Sequence, residues 1–115
     1  MFKADDYRLK IQGMRVILKE AEYALDIEHL RPRLAELERE QENPEVWQDL
    51  EKSTKIGREI AQLRGKINAY EAGETLLNDA GDVIDLIEET GDESLIAELD
   101  EMMAKAEKDI EEMRI

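Results

Sequence analysis

His29, the only histidine, and a dense run of carboxylates are the side chains of this sequence with the most evident chemical capacity. A histidine can move protons near neutrality, but general acid–base work needs a nucleophile or carboxylate poised against it. Its charged neighbours are Glu28 and Arg33, and it sits at a helix start on a polar face, where a solvated structural role is the simpler reading. Asp79, Asp82, Asp85, Glu88 and Glu89 recur at helical spacings. Carboxylate clusters suit hard cations such as calcium or magnesium, but a calcium loop needs irregular backbone bent at a glycine, and this pattern is helical. Two readings of the row remain: a solvated acidic face, or a face that docks a basic protein, centred on Asp82, Asp85, Glu88 and Glu89. There is no cysteine, which excludes a thiol nucleophile, a disulfide and a cysteine-held zinc. Neither of the glycine-rich phosphate-binding patterns, Gly-x-x-x-x-Gly-Lys-Ser/Thr or Gly-x-Gly-x-x-Gly, occurs. Met102, Met103 and Met113 fall on an apolar row and read as packing. No nucleophile, base and anion-binding group come together, so neither catalysis nor a metal, cofactor or small-molecule substrate is expected.

The elements that must carry these residues are helices. Tyr7, Ile11, Met14, Leu18, Ala21 and Leu25 step by four and three, one apolar stripe close to a heptad seam, with Asp5 or Asp6 available as N-cap. A second stripe, Ile27, Leu30, Leu34 and Leu37, is out of phase by two, which places a break or bend near Asp26. Pro32 is tolerable in a first turn and costly deeper in, so the second helix is expected to start near Glu28–Arg31; a single kinked helix is the alternative. Asn43 is an N-cap type and Pro44 a good first helical residue, which predicts a short helical turn carrying Val46 and Trp47. Trp47, with Val46 beside it and Pro44 ahead of it, is expected to bury against the long helices as a structural anchor, contributing about 2–3 kcal/mol; an exposed binding role is the alternative.

Asp49 can cap a stripe that runs Ile56, Ile60, Leu63, Ile67, Tyr70, Leu77, Ile84 and Ile87. Glycines at 57, 65, 73 and 81 each cost about 1 kcal/mol against alanine in an exposed helix, so residues 50–90 read as one helix about 60 Å long or as two. Gly91 can end it in the left-handed conformation and Asp92 can cap the next, which shows Leu95, Leu99, Met102, Met103, Ala106, Ile110 and Met113. That last pattern reaches Met113-Arg114-Ile115 without a stop, as expected of a piece of a longer protein. The fold class is all-α: about four helices in an elongated antiparallel bundle of coiled-coil-like hairpins.

The 115 residues amount to one domain. Thirty acidic residues against 16 basic give a net charge of −14, and 42% apolar content with helical periodicity separates the chain from disordered acidic sequences. The charge is lopsided: residues 58–115 hold 17 acidic and 6 basic residues, against 13 and 10 in residues 1–57. Nucleic-acid backbones require clustered positive charge, so direct nucleic-acid binding is not expected, whereas a basic protein surface suits the second half. No apolar run spans a membrane and the N-terminus does not read as a signal peptide, so no membrane partner is expected and a cytoplasmic location fits.

The stretch Leu25-Asp26-Ile27-Glu28, then Leu34-Ala35-Glu36-Leu37-Glu38, then Asn43-Pro44-Glu45-Val46-Trp47, with the long helix opening Leu50-Glu51-Lys52, resembles the N-terminal domain of the bacterial class I peptide chain release factors. The Asn-Pro-Glu-Val-Trp element and the acidic lead-in Gly91-Asp92-Glu93-Ser94-Leu95 are most similar to the release factor 2 branch. The resemblance covers nearly the whole chain. It implies that residues 1–115 form one N-terminal helical domain of a longer protein that reads UGA and UAA stop codons and triggers peptidyl-tRNA hydrolysis. It also implies docking near the stalk base of the large ribosomal subunit and interplay with the class II release-factor GTPase. The Ser-Pro-Phe and Gly-Gly-Gln tripeptides that carry codon reading and hydrolysis in that family do not occur here, so the chain would dock without catalysing. A free-standing acidic coiled-coil adaptor or chaperone-like protein is the alternative.

Overall fold

The computed structural model describes residues 1–114. The element order is α1 (Ala4–Leu25), α2 (Ile27–Gln41), a one-turn α3 (Pro44–Trp47), α4 (Leu50–Thr90), a 3-10 turn (Glu93–Leu95) and α5 (Ile96–Glu112). The fold is all-α, as the periodicity requires. The chain groups into two compact units, one made of residues 1–21 and 69–115, the other of residues 22–68.

In the second unit, Asp26 ends α1 by taking the left-handed conformation (φ 57°). Its carbonyl then accepts from the amides of His29 and Leu30, both at 3.0 Å, and so starts α2 at once. The stripe's change of phase marks this residue. Because the new helix begins at Ile27, Pro32 lies inside it beyond the first turn, which corrects the start expected near Glu28–Arg31. Leu37, Ile60 and Leu63 form the core of this unit, with Leu30, Leu34 and Ile56 packed against them. Arg33 pairs with Glu59 at 3.3 Å and Arg64 with Glu38 at 3.6 Å between α2 and α4.

Asn43 caps α3, its side chain accepting from the Glu45 amide at 3.0 Å, with Pro44 as the first helical residue. Asp49 caps α4 through the Lys52 amide at 3.2 Å. Trp47 departs from expectation: it is 55% exposed, while Val46 is half-buried and Pro44 exposed. Successive helical residues point about 100° apart, so Val46 and Trp47 leave this single turn in different directions. Val46 takes the covered position, and burial against the long helices is not how Trp47 serves this turn.

Residues 50–90 are one continuous helix. In the first unit its later turns pack with α1 and α5 around Leu77, Ala80, Ile84, Leu99 and Ala106, all fully buried. Gly73 belongs to this packing. A Cβ there would stand 3.3 Å from the Met113 methyl, 3.4 Å from Leu18 and 3.5 Å from Ile110. Gly65 and Gly81 would meet nothing within 4 Å. Gly91 (φ 70°) ends α4, and Asp92 caps the 3-10 turn through the Ser94 amide at 3.0 Å. The helix α5 stops at Glu112 with Met113 beyond it as C-cap; the final residue of the expected uninterrupted pattern, Ile115, lies outside the described residues.

Candidate docking surface

The carboxylate row rides on the part of α4 that belongs to the first unit. Ile84 and Ile87 face the core there, which turns Asp82, Asp85, Glu88 and Glu89 outward, and all four are exposed. They do not form one uniform face. Arg8 of α1 donates to Asp85 at 2.8 Å and also pairs with Glu88, and a looser contact to Asp5 at 3.7 Å completes its surroundings. The hydrogen bonds that Arg8 donates to these two carboxylates, Glu88 first, push the Arg8 pKa further up. Farther along the same seam Arg15 donates to Asn78 at 2.8 Å. Asp82 and Glu89 make no such pair among the described residues, so of these four they are the two whose charge is presented outward without a cation beside it.

The Arg8 clamp is scarcely legible in the sequence. The available signal was small: Arg8 follows Tyr7 at the edge of the α1 stripe, a position from which a long side chain reaches a neighbouring helix. On the adjoining side of α1, the Tyr7 hydroxyl donates to Asp100 of α5 at 2.5 Å. That bond, with desolvation behind it, raises the Tyr7 pKa. Phe2 stacks on Tyr7 with ring centres 5.2 Å apart.

His29 sits at the α1–α2 junction, with Nδ1 2.6 Å from the Asp26 carboxylate. The hydrogen bond to Asp26, then its charge, raises the His29 pKa. Its partner is thus the left-handed residue of the bend, not Glu28 or Arg33, and the pair ties down the junction. Among the described residues, no three histidine, aspartate or glutamate side chains stand close enough to hold a metal ion. No helix among them is long and apolar enough to cross a membrane.

The arrangement presents charge on an exposed helix face. The PCRF domain family matches residues 30–115. Peptide chain release factor 2 of Saccharopolyspora erythraea is 26% identical over 110 residues, covering 96% of this chain and 30% of the relative. The Acidithiobacillus ferrooxidans release factor 2 is 32% identical over 96 residues, 84% of this chain and 24% of the relative. That of Xanthomonas euvesicatoria pv. vesicatoria is 31% identical over 112 residues, 94% and 30%. The chain spans less than a third of the length of these curated relatives. With the family match reaching from α2 to the end of the chain, the protein belongs to the PCRF domain family of the peptide chain release factors.

Proposed function

We propose that this chain is the N-terminal docking domain of a translation termination factor, non-catalytic in itself, which engages the large ribosomal subunit at its stalk base and there meets the class II release-factor GTPase. The family match over residues 30–115 carries this reading. The charge distribution supports it: the net −11 of residues 58–115 suits a basic ribosomal protein better than an RNA backbone. The tripeptides tied to codon reading and hydrolysis by family resemblance lie nowhere in this sequence. Codon recognition and peptide release would belong to other parts of such a factor.

On α4, Asp82 and Glu89 steer the encounter, and Asp85 and Glu88 add to the field while held by Arg8. The test is stopped-flow association with large ribosomal subunits. Raising ionic strength from about 0.05 to 0.5 M shortens the Debye length from roughly 14 to 4 Å and should slow association. Substituting Asp82→Asn, Asp85→Asn, Glu88→Gln and Glu89→Gln together should lower the on-rate more than it raises the off-rate. Equal on-rates at low salt would mean that the row is only solvated and that contact lies in the less acidic first half. Added to ribosomes stalled at a stop codon, the chain should release no peptide; codon-dependent release would overturn the docking reading.

A further inference from the structure

Unit one, residues 1–21 and 69–115, carries a second feature that the α4 carboxylates do not use. Between α1 and α5 runs an open groove of about 980 Å³. Its floor is apolar: Tyr7, Met14 and Ile17 on the α1 side, Ile96, Met103 and Ile110 on the α5 side. Tyr7, Met14, Ile17 and Ile96 are only half-buried, so the chain itself covers them incompletely.

The spacing along both walls is seven. Tyr7 is followed by Met14, and Ile96 by Met103 and Ile110. Charges repeat in step with them: Glu93, Asp100 and Glu107 along the α5 rim, Lys3 and Lys10 along the α1 rim. Seven-residue rows stay in line only along helices packed nearly parallel, where side chains of one helix enter holes formed by its neighbours. Two such walls present a third helix with an apolar seat and a charge about every 10.5 Å. Gly13 opens the α1 wall further, since a Cβ there would meet nothing within 4 Å.

We propose that this groove receives an amphipathic helix from a partner protein, apolar on the face it buries and bearing Lys or Arg along the edge that lies against α5. The charge decides the occupant. Glu93, Asp100, Glu107 and Glu111 outnumber Lys3 and Lys10 around the groove, and carboxylates on one rim select cations on the helix that fills it. A second copy of this chain, at net −14, is repelled by the same rim. Asp100 accepts the Tyr7 hydroxyl through Oδ1, which leaves Oδ2 for the partner. The groove is separate from the α4 carboxylate row, because α1 and α5 line it and α4 does not.

The probes are two synthetic three-heptad helices with the same leucine stripe, one flanked by lysine and one by glutamate. Calorimetric titration of the whole chain should show the lysine-flanked peptide binding about tenfold tighter or more. Methyl resonances of Met14, Ile17, Ile96 and Met103 should shift, while those of Ile56 and Ile60 stay in place. Glu93→Gln, Glu107→Gln and Glu111→Gln together leave the floor intact and should abolish the preference between peptides. Gly13→Arg, which fills the recess in open space and favours the helix, should weaken the lysine-flanked peptide about tenfold. Equal affinities, no binding, or shifts confined to other methyls would overturn the proposal. So would sedimentation showing a dimer that perturbs the same four methyls, since a second copy would then be the occupant.

Discussion

The Arg8 guanidinium of α1 donates to the Asp85 carboxylate of α4 at 2.8 Å, and the two residues stand 77 positions apart in the chain. This pair places one cation in the middle of an acidic row, where it offsets part of the repulsion among Asp82, Asp85, Glu88 and Glu89. Arg8→Met should therefore lower the urea midpoint of unfolding at low salt. The deficit should shrink at 0.5 M salt, where the Debye length is roughly fourfold shorter than at 0.03 M, because both partners are solvent-exposed. A deficit that salt leaves unchanged would assign Arg8 a packing role instead.

The glycines of α4 divide by surroundings. Gly65→Ala and Gly81→Ala enter open space and should each stabilise the helix by about 0.5–1 kcal/mol through propensity. Gly73→Leu drives a side chain into Met113, Leu18 and Ile110 and should cost about 1–3 kcal/mol by overpacking. Equilibrium urea unfolding of the three variants checks the contrast; a stabilising Gly73→Leu would show that the three-helix contact is loose.

Trp47, more than half exposed, should emit at long wavelength and be readily quenched by acrylamide in the folded chain. Trp47→Ala should change stability by no more than about 0.5 kcal/mol, as surface substitutions do. A loss of about 3 kcal/mol would return Trp47 to the core.

The raised His29 pKa predicts a direction for stability against pH. The folded state holds the His29 proton more tightly than the unfolded chain, whose ordinary value is 6.5. The contribution is therefore complete below about 6.5 and is lost as pH rises through the higher folded value. An NMR titration should place the His29 midpoint above 6.5, and Asp26→Asn, which keeps a residue tolerant of the left-handed conformation, should bring it down. A midpoint unmoved by Asp26→Asn would remove the pair from the junction.

Much of this architecture was legible because it is local. The phase change between Leu25 and Ile27 located the left-handed residue Asp26, and Asn43-Pro44, Asp49 and Gly91-Asp92 marked their caps and stop. These signals act within a few residues, through backbone conformation and the first unpaired amides of a helix. The positions that sequence left open or misplaced depend on distant partners. Four glycines argued against a continuous α4, yet buried residues from Ile60 to Ile87 hold it against α1, α2 and α5, and at Gly73 the missing side chain is what lets Leu18 and Ile110 approach. The local penalty of Pro32 points to a start near Glu28–Arg31, one to four residues past Ile27, where Asp26 sets the actual start of α2. The outward turn of Trp47, the clamp of Arg8 on Asp85 and the groove floored by Met14 and Met103 came only with tertiary structure. Each depends on which helix faces which, and that is settled by the summed burial of apolar surface over the whole chain, not by any one segment.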